Sequence, residues 1–147
     1  MTEKSNTKSI GFALDRLNLD QFAIIQNAYT DDKDIGLVTG LQFAADAVNK
    51  RIKCTVRVSF EQDEKPFLIL EASNNFSVDK EAWALYENAE MKAIVLPKKF
   101  MAHLAMLTVG AARGMLHVKT ENTKFNRYFL PPINVAEMID EDVRIDV

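Results

Sequence analysis

From Arg51 to Glu61 apolar and polar residues alternate without exception, with Ile52, Cys54, Val56, Val58 and Phe60 on one side and Arg51, Lys53, Thr55, Arg57, Ser59 and Glu61 on the other. A period of two is the mark of a strand with one buried face. Gln62 to Lys65 is polar and Pro66 follows, which suits a hairpin loop, so the apolar run Phe67 to Leu70 and on to Phe76 is expected to return as the antiparallel partner. A looser pattern over Leu37 to Val48, weakened by Gly36 and Gly40, predicts another strand. Earlier still, Phe12 and Leu14, then Leu17 and Leu19, then Phe22 and Ile24 alternate in three short phases. Each phase shift is what a β-bulge produces, so Gly11 to Ile25 reads as one long, kinked strand. The polar stretch Asn27 to Asp34 between these two reads as a crossing loop.

The second half changes period. Asp79 is placed to cap a short helix with Ala82 and Leu85 on one face, and Trp83 and Tyr86 make that helix aromatic, with core packing favoured over a ligand role. The chain then passes through Ala93 to Leu96 into the main helix, expected from about Leu96 to Met115, with Pro97 in its first turn and Arg113-Gly114 as its stop. Phe100, Leu104, Leu107, Ala111 and Met115 form the stripe expected to sit on the sheet. Ala102, Ala105, Val109 and Ala112 line up opposite with the same spacing, and Lys99, His103, Gly110 and Arg113 fill a narrow polar sector. A lone helix on a four-stranded sheet leaves its second apolar face bare, and monomers seldom expose such a patch. Ala102, Ala105, Val109 and Ala112 are therefore the expected interface with a second copy; the alternative is that residues 116–147 fold back over them. No internal repeat, low-complexity tract or interdomain linker interrupts the chain, so a single domain over 10–147 behind a flexible segment 1–9 is expected.

Composition narrows the chemistry. A 147-residue chain with 48% hydrophobic and 27% charged residues has the make-up of an ordinary globular domain. A net charge of -3 with no block of cations gives nucleic-acid binding no electrostatic basis. The longest apolar stretch, Phe100 to Val109, contains His103 and Thr108 and is far short of the roughly 20 residues that span a bilayer. Met1 to Ser9 is polar and lacks the apolar core of a secretory signal, and the single Cys54 has no partner for an internal disulfide, so a cytoplasmic location is expected. Catalysis has little to stand on. His103 and His117 have no cysteine or carboxylate at ligand spacing, Cys54 falls on a buried strand face, and the 5 glycines build no phosphate loop. No enzyme activity, metal or cofactor is expected.

The order of strands, polar hairpin, Leu96-Pro97, helix, Arg113-Gly114 and Leu130-Pro131-Pro132-Ile133-Asn134-Val135 resembles the SecB-type export chaperones over roughly Gly11 to Ile139. Phe67-Leu68 followed by Glu71 is similar to that family's fourth strand, with one extra residue. Two features depart from the pattern. Met115 to Leu130, with its polar Lys119 to Lys124 run, separates Arg-Gly from Pro-Pro as an inserted hairpin or surface loop, and the final helix is cut short after Met138.

The resemblance implies an α+β subunit, a four-stranded antiparallel sheet with a long helix packed across it, assembled as a dimer of dimers. It implies an ATP-independent holdase that binds unfolded polypeptides in apolar grooves for protein export. It also implies the SecA motor as a partner, for which Asp15, Asp20 and Glu71 are the candidate acidic surface. Adaptable side chains suit promiscuous grooves, which makes Met101 and Met106 client-binding candidates, although a helical methionine also serves as core filler. Phe125, Tyr128 and Phe129 in the irregular segment before the prolines are further candidates, with a loop anchor as the other reading. Two alternatives stand beside the general holdase: a SecB-like regulator of one specific client such as an antitoxin, with Met115 to Leu130 as its specificity element, and an oligomeric binding protein that keeps only the fold.

Overall fold

A computed structural model describes residues 9–147, so all but Ser9 of the expected flexible segment lies outside the described residues. Strands β1 (Phe12–Ile24), β2 (Gly36–Asp46), β3 (Arg51–Gln62) and β4 (Lys65–Val78) form an antiparallel sheet in the order β1-β4-β3-β2. Tight hairpins join β2, β3 and β4, and the segment 25–35 carries the chain from one sheet edge to the other, which is a Greek-key connection. The β3–β4 turn is only two residues, Asp63 and Glu64, both at left-handed φ (50° and 63°), the hand that matches strand twist.

The kinks of β1 fall where its leucines change phase. Its register against β4 shifts between Leu14 and Arg16 and again between Leu19 and Gln21, leaving Asp15 and Asp20 without a residue opposite. Each bulge restores the alternation, so Phe12, Leu14, Leu17, Leu19, Phe22 and Ile24 all lie on one sheet face, opposite Val78, Phe76, Asn74, Ala72, Leu70 and Leu68. Without them, Leu17 and Leu19 would turn to the face opposite the other four. A third irregularity, at Phe67, lets both Phe67 and Leu68 be buried.

Helix α2 (Lys98–Lys119) lies across β3 and β4 on that face. Its boundaries differ from expectation at both ends. Leu96 belongs to a strand and Pro97 is the N-cap, and because proline offers no side-chain acceptor, the Asp142 carboxylate accepts from the Lys98 N–H at 3.0 Å instead. At the other end the helix runs straight through Arg113-Gly114. A glycine inside a helix costs about 1 kcal/mol, whereas burying the Leu116 side chain one half-turn later returns about 2 kcal/mol, so continuation wins. The helix closes at Thr120, whose hydroxyl donates to the Leu116 carbonyl at 2.8 Å.

The two apolar stripes of α2 are exchanged relative to expectation. Met101, Leu104, Ala105, Thr108, Val109, Ala112 and Leu116 are buried, and of the stripe expected on the sheet only Leu104 is among them. The centre of the sheet is already filled by Val58, Leu68, Leu70 and Phe76, and small residues let the helix approach such a crowded surface. Thr108 is admitted because its hydroxyl donates to the Leu104 carbonyl at 2.9 Å.

Helix α1 (Lys80–Tyr86) turns Trp83 inward and leaves Leu85 in solvent, so the inward face is not the expected Ala82–Leu85 one. A second small sheet, absent from the expectation, joins β5 (Glu87–Asn88), β6 (Ala93–Leu96) and β7 (Val143–Asp146) in that order. The final helix α3 (Val135–Met138) is a single turn, and the chain beyond it returns as β7, burying Ile145 opposite Ile94. Between α2 and α3 the inserted segment is neither hairpin nor open loop: it completes α2, makes a 3-10 turn at Lys124–Arg127 and buries Phe125 and Leu130.

Candidate binding surfaces

Helix α2 covers the two central strands and meets β1 at its two ends, through Phe12 and Phe22, so the core-side leucines between them stay accessible, Leu14 at 55%. Across from them the outer face of α2 presents Met106 (60% exposed), Leu107 and Val118 (61%). Gly110 and Gly114, one turn apart on this face, have nothing within 4 Å of where a Cβ would stand. The missing side chains leave an open groove of about 400 Å³ between β1 and α2, walled by Leu17 and Leu19 on one side and by Gly110, Gly114, Met115 and Val118 on the other. Its lining is almost entirely apolar, with Lys119 at one end. The belt formed by β1 and the outer side of α2 is the main apolar surface that the fold leaves uncovered. Gly110 read as part of a polar sector and Gly114 read as a helix stop concealed it; the signal available was their i, i+4 spacing between Met106 and Val118.

The residues expected at a subunit interface do not contribute to this surface. Ala105 and Ala112 are fully buried against the sheet, Val109 nearly so, and Ala102 is half-buried. Ala105, Val109 and Ala112 face their own sheet because the helix is rotated by the exchange of stripes described above. Met101, a candidate for client binding, is buried for the same reason, whereas Met106 is exposed.

A second constellation surrounds the crossing loop. Tyr29 packs its ring 5.0 Å from both Phe67 and Phe125, and Tyr128 lies 5.4 Å from Phe67 and 5.7 Å from Phe60. The two tyrosine hydroxyls share a hydrogen bond of 2.8 Å, and the Arg127 guanidinium donates to both, at 2.9 Å for Tyr128. The hydrogen bond with Tyr128, with burial second, pushes the Tyr29 phenol above its ordinary pKa. Next to it the nearly buried Gln62 side chain accepts from the Thr30 N–H and donates to the Thr30 carbonyl, both at 2.8 Å. Phe125, buried, and Tyr128, half-buried, are thus anchors that tie the crossing loop to the end of the sheet. Phe129 is different: it is 63% exposed. Its neighbours Leu130 and Pro131 are held by Arg113, whose Nε donates to the Leu130 carbonyl at 2.7 Å and whose Nη2 donates to that of Pro131 at 2.9 Å.

Asp15, Asp20 and Glu71 lie along β1 and β4, but they do not make an acidic surface. Asp15 accepts from Ser77 at 2.9 Å and pairs with Arg51 at 3.1 Å, and Glu71 faces Arg57 at 3.5 Å. Only Asp20, in the second bulge, has no ion pair among the described residues. Cys54 is buried beneath α2, where desolvation pushes its thiol up to about 11 despite a hydrogen bond with Thr108. His103 packs edge-on against Phe12 at 5.7 Å, and His117 lies by the Asn126 side chain. No group of three metal-ligating side chains occurs among the described residues, and no helix there is long and apolar enough to cross a membrane. Among protein-family models and curated proteins, none matches this chain.

Proposed function

We propose that the protein is a SecB-like, ATP-independent holdase that binds unfolded polypeptides through exposed apolar surface and works as a homo-oligomer. The observation that carries this reading is the apolar belt of Leu14, Leu17, Leu19, Met106, Leu107 and Val118 with its open, nearly uncharged groove. Apolar area of that kind binds without regard to sequence, and methionine at its rim adapts to different partners. Gly110 and Gly114 form the one stretch of α2 that another helix could approach closely, so self-association is assigned to this outer face and not to the alanine stripe. The proposal does not extend to the SecA motor, because two of the three candidate carboxylates are neutralised by arginines on the same sheet.

The test is aggregation of a denatured, slow-folding client with and without the purified protein. Suppression without ATP is expected, and Leu17→Asp should remove it while leaving the far-UV spectrum unchanged, since Leu17 is exposed. If the client aggregates at the same rate in an excess of protein, the holding reading fails. Light scattering decides self-association separately: a clean monomer at micromolar concentration rules it out.

A further inference from the structure

The two edges of the main sheet are built differently. On β1 two bulges, each with a carboxylate, interrupt the pairing pattern. On β2 the ladder with β3 runs residue for residue from Gly36 to Asp46 with no shift, and Gly36 to Ala45 includes no charged residue and no proline. Bulges, charges and prolines are the usual means of keeping other strands off an edge. One edge has them and the other does not.

The direction of the unused hydrogen-bonding groups on β2 follows from the hairpins. Gln62 faces Lys65 across the two-residue turn, and the Val78 N–H donates to the Lys50 carbonyl at 2.9 Å, so the even-numbered residues of β3 turn towards β4. Its odd-numbered residues therefore bond β2, where they meet the even-numbered positions. That leaves Leu37, Thr39, Leu41, Phe43 and Ala45 aiming N–H and C=O away from the sheet. No backbone hydrogen bond among the described residues uses them, and β7 lies against β2 without pairing with it. A row of donors and acceptors at the strand repeat fits one chemistry, another extended main chain.

Charge separates a second copy from a different polypeptide. Asp31, Asp32 and Asp34 precede the strand and Asp46 ends it. Asp46 is held ionised at its post: it accepts from the Asn49 side chain at 2.8 Å and from the Asn49 and Val48 N–H groups at 3.1 and 3.0 Å, and these bonds keep its carboxyl below the ordinary range. Of the nearby cations, Lys33 pairs with Asp63, Arg51 with Asp15 and Lys124 with Asp31, which leaves Lys53, opposite Ala44, without an ion pair among the described residues and the carboxylates of Asp34 and Asp46 in excess of it. In an antiparallel pairing of two β2 strands centred on Leu41, each Asp46 comes within two residues of the other copy's Asp34, like charge against like charge at both ends. A segment with basic flanks meets attraction at the same places.

We propose that the β2 edge takes, by strand addition, an extended segment of a foreign polypeptide with lysine or arginine at its flanks. This rests on the holding reading above and gives it a main-chain mode of capture, separate from the apolar belt. The experiment is residue-resolved amide exchange on the full chain with a peptide of alternating valine and threonine capped by two lysines at each end, compared with the same peptide capped by glutamates. The lysine peptide should slow exchange at Leu37, Thr39 and Leu41 and leave Val38 and Gly40, already in the ladder, unchanged. At low salt the glutamate peptide should bind about tenfold more weakly. Thr39→Pro removes one outward N–H at an edge where proline is tolerated, and should weaken the lysine peptide about tenfold with the fold retained. Unchanged exchange at the odd-numbered residues under saturating peptide overturns the proposal. So does protection of those residues in peptide-free protein that grows with concentration, which assigns the edge to a second copy. Should Thr39→Pro fail to fold, the exchange pattern of the unaltered chain decides. A protein that suppresses client aggregation but shows no protection at the odd-numbered residues loses this inference and keeps the holding function; the reverse pattern keeps the edge and loses the holdase.

Discussion

Helix α2 has two apolar faces, and they do opposite things. The inner one is made of Leu104, Ala105, Thr108, Ala112 and Leu116, is dry, and satisfies its single hydroxyl within the helix. The outer one is made of Met106, Leu107, Gly110, Gly114 and Val118, is wet, and is interrupted by two positions with no side chain at all. The same helical spacing generates both. What tells them apart is the surface opposite: over the crowded sheet centre alanine and threonine alternate with Met101, Leu104 and Leu116, whereas nothing packs on Met106, Gly110, Gly114 and Val118.

The sharpest way to break this contrast is Ala105→Glu, which buries an unpaired charge on the inner face. It should cost about 3–5 kcal/mol and unfold the subunit in a denaturant titration. A folded protein with altered mass would instead return Ala105 to a subunit interface. Next in size is the alkaline limb of stability. The folded Cys54 thiol sits at about 11 against its ordinary 9.0, so the folded state holds a proton that the unfolded chain releases. The associated stability is fully present below about pH 9 and is lost as pH rises through the folded value, by at most about 2–3 kcal/mol. Cys54→Ala should flatten that slope in urea titrations between these two pH values.

Gly114→Ala sharpens the contrast with a smaller effect. The position is helical and open, so the alanine should stabilise the subunit by about 1 kcal/mol while narrowing the groove and weakening any self-association. Smallest on stability is Val118→Glu, expected within about 0.5 kcal/mol of the parent, with its whole effect on the assembled mass and on client protection. If it destabilises the subunit as Ala105→Glu does, the outer face is covered from within.

How far the sequence carried depended on whether the controlling interaction was local. The β3 alternation and the three leucine phases of β1 encode their own geometry, so strand, hairpin and both bulges could be read from neighbouring residues. The small sheet could not, because Ala93 pairs with Asp146 across most of the helical half and β5 is only two residues long. The existence of α2 was legible and its rotation was not, since two stripes of equal spacing give no preference until the sheet is in place. Gly114 misled for a related reason: a glycine signals a helix end only when nothing beyond it has a core to enter, and Leu116 does. Of the surface residues, Phe129 and Met106 could be picked out because they lie outside any buried stripe, whereas Phe125 and Tyr128 were aromatic side chains whose partner, Tyr29, is nearly a hundred residues away.

The Greek-key order also sets a schedule. Phe12 pairs with Val78, and Ile24 with Leu68, so the first strand to be synthesised is the last of the four whose partner exists. At about 5–20 residues per second, β1 and its leucines wait for several seconds beside a growing β2–β3–β4 meander before the slot along β4 is complete. During that interval the nascent chain is itself an extended, apolar, unpaired strand. The arrival of β4 pairs its main chain, while Leu14, Leu17 and Leu19 stay exposed even then.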